Sequence, residues 1–241
     1  MGQPLIALVA KAPVPGRVKT RFSPPLTLKA AATVYRGFLI DTLDLISELT
    51  GVARAIVLPP ETDEAALADL IPAGFWLRRQ PVAGLADALG GTLAEGLARG
   101  HDRVILLGSD TPSLPAKLLE QAIEALVDHD LVIGPATDGG YYLIGLKQVR
   151  PELFEDIAWS TATVCADTLE RARRAGLQIA CLPPWYDVDV IEDLHFLAVH
   201  LAADPGIGAP VTRQALGAVL PELAAASSFT KLSFPVPGGV A

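Results

Sequence analysis

The sequence predicts an α/β protein: a mostly parallel sheet with helices on both faces, a three-layer arrangement. Short apolar runs of strand length alternate along the chain with longer segments of helical periodicity, the order in which crossover helices join parallel strands. The run Val104–Gly108 is apolar throughout and rich in branched residues, as a strand covered on both faces must be. With 241 residues, 51% of them hydrophobic, the chain has material for an ample core. One main domain is expected over residues 1–205, followed by a C-terminal helix and an extended tail over 206–241.

The elements follow in order. Leu5–Ala10 is the first apolar strand, and Leu28–Leu49 the first helix. In that helix Ala32, Tyr35, Leu39, Leu43 and Ile46 recur at helical spacing and form a core face, while Asp41 and Asp44 lie elsewhere on its surface. Strands are expected at Arg54–Leu58 and Trp76–Arg79, with helices at Glu64–Leu70 and Leu85–Ala98. After Val104–Gly108, Pro115 opens the helix Ala116–Asp128, whose Leu119, Ile123 and Leu126 share one face. Leu131–Gly134 and Tyr142–Leu146 are strands joined by a tight turn at Asp138-Gly139-Gly140. Successive residues of a strand face opposite ways, so at most one of Tyr141 and Tyr142 is expected to reach a pocket. Ser160 or Thr161 would cap the helix Ala162–Ala175. The strand Gln178–Leu182 and helices Ile191–Ala203 and Arg213–Ala225 complete the set, and Ser227–Ala241 reads as a tail of a kind that can serve a homodimer.

Composition excludes several classes. Two cysteines, Cys165 and Cys181, are too few for a disulfide framework and fit a reducing cytoplasm. The four histidines have no metal-ligand spacing. The N-terminal apolar stretch is too short to span a bilayer and lacks a preceding cationic region, so neither membrane anchoring nor secretion is expected. The acidic balance speaks against nucleic-acid binding, which needs a broad basic face. A P-loop would need glycines where Pro13 and Val18 stand, and the dinucleotide, serine-hydrolase and zinc-protease motifs are missing.

Charge placement points to a ligand site. The net charge is -8, yet no Asp or Glu precedes Asp41, whereas Lys11, Arg17, Lys19, Arg21, Lys29 and Arg36 all do. Four of these six cations share the loop Lys11-Ala-Pro-Val-Pro-Gly-Arg-Val-Lys-Thr-Arg21, which leaves the carboxyl end of the first strand. Asp110 stands just past Val104–Gly108, and Asp187 and Asp189 lie in Trp185-Tyr-Asp-Val-Asp189. Open α/β sheets bind ligands at the carboxyl ends of their strands. Cations there gather phosphate oxygens, and carboxylates opposite hold a hard divalent ion. Asp138, Gly139 and Gly140 make either a plain hairpin turn or a backbone that approaches a ligand and offers it amides. Trp159-Ser160-Thr161 offers either a helix cap or an anion site.

These segments resemble a known family. Ala10–Arg21, Gly108-Ser-Asp-Thr-Pro112, Gly134–Leu146, Trp159-Ser-Thr161 and Trp185–Asp189 are similar, in order, to the bacterial glycosyltransferase A-like family of the nucleotide-diphospho-sugar transferase superfamily. The basic loop is also similar to that of phospholactate guanylyltransferases. The resemblance implies a Rossmann-like, GT-A-like fold, makes 1–205 the catalytic domain, and assigns Asp110 and Asp189 as ligands of Mg2+ or Mn2+. Asp187 would then stand beside the metal or on the acceptor side. The loop departs from the nucleotidyltransferase pattern in having Gly16 as its single glycine.

The expected activity is a magnesium-dependent transferase, with nucleotidyl transfer from a nucleoside triphosphate to a small phosphorylated acceptor as the first reading. Glycosyl transfer from a nucleotide-sugar to a small acceptor is the second, with Asp187 or Asp138 as the base, and a non-catalytic nucleotide-binding protein the third. Lys19, Arg17 and Asp110 are the expected catalytic residues. Lys11, Gly16, Arg21, Asp138, Gly139, Gly140, Tyr141, Tyr142, Trp159, Ser160, Thr161 and Asp187 are the expected binding residues.

Overall fold

A computed structural model describes residues 2–62, 64–82 and 84–226; the tail expected from Ser227 lies outside them. Seven strands form one sheet: β1 (Leu5–Val9), β2 (Ala53–Leu58), β3 (Phe75–Arg79), β4 (Val104–Gly108), β5 (Leu131–Pro135), β6 (Tyr141–Leu146) and β7 (Ile179–Cys181). Their order is β3-β2-β1-β4-β6-β5-β7. All neighbours run parallel except β6, which is antiparallel to both β4 and β5. The short link from Pro135 to Tyr141 leaves no room for a crossover, so β5 and β6 must form a hairpin.

Six helices flank the sheet: α1 (Leu28–Glu48), α2 (Leu85–Ala98), α3 (Ala116–Asp128), α4 (Val164–Arg174), α5 (Ile191–Ala203) and α6 (Pro210–Ala226). The layers follow from strand alternation. Ile6 and Leu8 enter a core with Leu39 and Leu43 of α1 and Leu119 and Leu126 of α3. Leu5 and Ala7 face the other way, into a core with Leu89 and Leu93 of α2 and Ala172 of α4. A third cluster joins Phe38 of α1, Leu197 of α5 and Leu216 of α6.

Three local expectations are corrected. The segment from Glu64 forms only the short 3-10 turn Glu64–Ala66, since Leu67 and Leu70 are its buried anchors and so short a helix does not recover its nucleation cost. The fourth helix starts at Val164, with Thr163 before it. Ser160 takes a left-handed φ of 64°, and the Thr161 hydroxyl donates to the Ala158 carbonyl (2.7 Å), so neither caps the helix. Asp41 is not on the surface: it is 3% exposed because α6 crosses α1 there.

Its two carboxylate oxygens accept the amides of Val211 (3.1 Å) and Thr212 (2.7 Å), the orphan donors at the start of α6. Gly37 permits the approach, since a Cβ there would meet the Thr212 Cα at 3.1 Å. Burial pushes the Asp41 carboxyl above its ordinary range, and the hydrogen bonds from Thr212 and Val211 oppose this. Asp41→Ala leaves the buried Thr212 amide and the half-buried Val211 amide without acceptors and is expected to lower unfolding free energy by about 1–3 kcal/mol. Asp41→Asn, which keeps one acceptor oxygen, should lose less; urea titration of both variants checks this.

Candidate active site

The carboxyl ends of β1, β4 and β5 open on one edge of the sheet, and the hairpin brings the start of β6 to the same edge. Backbone bonds assemble the site there. Trp185 pairs with Ala136, and its carbonyl accepts the Thr137 amide (3.0 Å). The Val188 amide donates to the Asp110 carbonyl (2.9 Å). These ties set Asp187 and Asp189 beside both Asp138 and Asp110.

A hydrogen-bond chain holds the same segment from behind. Trp185 Nε1 donates to Ser113 Oγ (3.2 Å), Ser113 donates to the Tyr186 hydroxyl (2.8 Å), and that hydroxyl lies 2.7 Å from His200 Nδ1. Asp193 adds a cap, its Oδ2 accepting the amides of Asp189 and Val190 at 2.9 Å each.

The loop after β1 delivers Lys19. Gly16 turns with φ 77° and Lys19 itself is left-handed at φ 45°, while Val18 and Phe22 anchor in the cluster under α1. The Lys19 ammonium therefore points inward and lies 2.6 Å from Oδ1 of both Asp110 and Asp189, its side chain 6% exposed. Burial works against its charge, but the two carboxylates outweigh it and raise the amine above its ordinary value.

Tyr35 is a site residue that helical spacing marked only as core. Its hydroxyl accepts the Lys11 amide (3.1 Å) and lies 2.8 Å from Ser109 Oγ, tying the β1 and β4 loops together. Burial, and then the charge of Asp110, push it up to about 12. The signal was available: a tyrosine on a core face needs a partner for its hydroxyl.

Two cavities adjoin. One, of about 500 Å³, is lined by Lys11, Arg17, Lys19, Arg21, Tyr35, Gln80 and Ser109. The other, of about 640 Å³, is lined by Asp138, Gly140, Tyr141, Tyr142, Trp159, Ser160, Thr161, Asp187 and Asp193. Asp110, Asp189, Arg21 and Leu85 border both. Both tyrosines thus reach the cavity, although Tyr142 packs in the α1–α3 core and Tyr141 against the opposite one; the strand begins at the cavity wall.

Gly16 and Gly139 line neither cavity. At Gly139 (φ 93°) an added Cβ would come 2.1 Å from the Ala162 carbonyl oxygen, so it backs onto the loop before α4. The amides of Gly139 and Gly140 are already donated, to the Ala136 carbonyl (3.2 Å) and to Asp138 Oδ1 (2.7 Å), and so are not offered to a ligand.

Oxygens of Asp138, Asp187 and Asp189 lie within 4.8 Å of one another. Burial, then the charges of Asp138 and Asp189, push Asp187 up to about 7. An all-carboxylate donor set, whose members give up their protons most readily when a cation is near, fits a hard divalent ion, and the Lys19 ammonium shows that the Asp110–Asp189 pair accepts a cation.

Residues 42–161 match a family described as uncharacterized proteins conserved in bacteria (DUF2064). A crystal structure of a proposed nucleotide-diphospho-sugar transferase from Desulfovibrio desulfuricans G20 superposes with a TM-score of 0.86 at 33% identity, over 93% of this chain and 98% of that one. The chain belongs to this bacterial family. More distant structures share the fold alone. CMP:2-keto-3-deoxy-manno-octonic acid synthetase complexed with CTP has a TM-score of 0.53 at 14% identity, over 83% of this chain and 99% of that one. A manganese complex of Rv0371c from Mycobacterium tuberculosis H37Rv has 0.50 at 16%, over 81% and 97%. No protein of curated function matches in sequence. Among the described residues no helix is long and apolar enough to cross a membrane.

Asp187 gives a pH signature. Its folded value, about 7, exceeds the ordinary 3.8, so the folded state holds the proton more tightly. The stability this adds is fully present below the unfolded value and is lost as pH rises through about 7. Between those limits Asp187→Asn should flatten the decline of unfolding free energy by up to about 1.4 kcal/mol per pH unit, measured by denaturant titration of both proteins without metal.

Proposed function

We propose that the protein is a divalent-metal-dependent transferase that moves a nucleotidyl group from a nucleoside triphosphate to a small phosphorylated acceptor. One observation carries the reading: Lys19 meets Asp110 and Asp189 at 2.6 Å, on the border between a cationic cavity and an acidic one. The cationic cavity, with Lys11, Arg17 and Arg21, suits a triphosphate, Arg as a two-pronged donor and Lys as a point charge. The second cavity, walled by Tyr141, Tyr142 and Trp159, takes the acceptor, its phosphate turned toward the shared border, where Arg21 and the ion offset the carboxylates.

Asp110 and Asp189 would hold Mg2+ or Mn2+, and Asp189 also gathers with Asp138 and Asp187, their oxygens within 4.8 Å of one another. The bound ion supplies neutralisation of phosphate charge. Arg17, Lys19 and Arg21 stabilise the pyrophosphate as it leaves, and the acceptor phosphate attacks the α-phosphorus directly. The chain needs no covalent nucleophile: it contributes positioning and fixed charge. The family's proposed nucleotide-diphospho-sugar transferase and a fold neighbour that holds CTP support this reading, and a manganese-bound neighbour supports the ion.

Glycosyl transfer from a nucleotide-sugar is a second reading, favoured by Asp187. A carboxyl group at about 7 inside the acceptor cavity is matched to removing a proton from an acceptor hydroxyl, a task that an attacking phosphate does not set.

Thermal-shift screening against nucleoside triphosphates and nucleotide-sugars, each with magnesium and with a chelator, should show magnesium-dependent stabilisation by one triphosphate. Turnover should then release pyrophosphate. Release of a nucleoside diphosphate from a nucleotide-sugar would decide for the second reading, and absence of any shift would remove both. Lys19→Ala and Asp110→Ala should each cut turnover by roughly 10²-fold or more; wild-type rates in either variant would refute the site.

A further inference from the structure

We propose that Lys19 is an internal cation which the divalent ion displaces, so that loading the metal is what frees this lysine to bind phosphate. The inference rests on the divalent-ion part of the proposed function.

Three observations carry it. The first is exclusivity: the ammonium lies 2.6 Å from Oδ1 of Asp110 and 2.6 Å from Oδ1 of Asp189, so it fills the space between the two carboxylates. An ion between the same oxygens and an ammonium at that distance are like charges in one place. The second is enclosure: with its side chain 6% exposed and its ammonium held by two carboxylates, Lys19 offers little free charge to a ligand. It is the Asp-bound member of the loop, whereas Arg17 and Arg21 are exposed to solvent.

The third is reach. Lys19 lines the cationic cavity together with Arg17 and Arg21, and its ammonium lies 6.0 Å from the ring centres of both Phe22 and Tyr35, at the wall of that cavity. Rotation of a flexible four-carbon stem moves the ammonium from the carboxylates into that cavity without moving the anchored Val18 and Phe22. The exchange conserves charge pairing at both ends: the carboxylates trade one cation for another, and the freed ammonium meets phosphate oxygens. Before the exchange, a phosphate entering the cavity meets an ammonium already neutralised by two carboxylates. Metal and phosphate binding are thereby coupled, each strengthening the other to the same degree.

Lysine acylation of the full-length protein by a water-soluble N-hydroxysuccinimide ester, read by mass spectrometry, tests this, with exposed Lys29 and Lys117 as internal references. Without metal Lys19 should react slowly. Mn2+ alone should raise its relative rate at least about tenfold, and Mn2+ with pyrophosphate should lower it again, a change within the usual range of coupling. Mn2+ binding is followed separately by the loss of the free-ion paramagnetic resonance signal. Asp110→Asn should weaken Mn2+ binding at least about fivefold.

If Mn2+ binds but Lys19 stays protected, or if Asp110→Asn binds it as wild type does, the ion sits elsewhere and the exchange is overturned, while the metal-dependent reading stands. If Mn2+ does not bind with or without pyrophosphate, the metal-dependent reading falls and the exchange with it.

Discussion

The contact of Lys19 with Asp110 and Asp189 is the constraint on which the site depends. Carboxylates crowded at a half-buried edge repel one another, and Asp187 is driven toward its protonated form by burial and then by the charges of Asp138 and Asp189. Lys19 relieves the other part of that repulsion and in doing so joins three loops that are remote in sequence. Charge alone does not hold them. The Val188 amide on the Asp110 carbonyl and the Asp193 carboxylate on the amides of Asp189 and Val190 fix the backbone without using the carboxylates of Asp110 and Asp189, which stay available to whichever cation lies between them. The frame can therefore keep its shape while its charge partner changes.

The sheet supplies the edge on which this frame is built. β1 and β4 are adjacent and parallel, so the loops carrying Lys19 and Asp110 emerge side by side. The reversed strand β6 does the rest. Its insertion between β4 and β5 places the Asp138 turn at the carboxyl edge, next to Asp110, where a right-handed crossover would have carried the chain to the far side. β7 extends the same logic: it runs parallel to β5 and leaves the sheet at that edge, with Asp187 and Asp189 in the segment beyond it. Asp110, Asp138, Asp187 and Asp189 thus all lie in segments that follow strands at this edge, and their place is set by topology more than by local conformation.

Much of this was legible in the sequence because it is written locally. Leu85–Ala98, Ala116–Asp128 and Ile191–Ala203 form helices with the bounds that apolar spacing predicts, and Val104–Gly108 is the expected strand. The candidate loops could be found because they follow strands. What the sequence could not show is which side chains meet across it. Lys19 and Asp189 are 170 positions apart, and Asp41 meets Thr212 across 171. Asp41 looked like a surface residue because nothing within α1 indicates that α6 will lie over it. Tyr35 looked like core because it is core, with one polar atom turned into the site. The amides of Gly139 and Gly140 were open to two uses, and the close approach of Ala162, invisible in the chain itself, goes with the internal one.

The opposed charges of the two cavities explain an odd feature of the chain. A polyanion entering beside Lys11 meets Arg17 and Arg21, whereas one entering from the other side meets Asp138 and Asp187. Under the proposed function such a field would orient a phosphate chain before any contact forms and penalise the reversed pose, since selectivity comes as much from repulsion as from attraction. Glu61 and the shared Asp110 and Asp189 also border the cationic cavity, so its positive side depends on the β1 loop adding no carboxylate of its own. That loop supplies Lys11, Arg17, Lys19 and Arg21 to the cavity and α1 adds Tyr35, and it is in this stretch, before Asp41, that the acidic chain has no Asp or Glu. The first acidic residue appears where α1 has turned away from the cavity and toward α6, where its carboxylate caps a helix instead of facing a ligand.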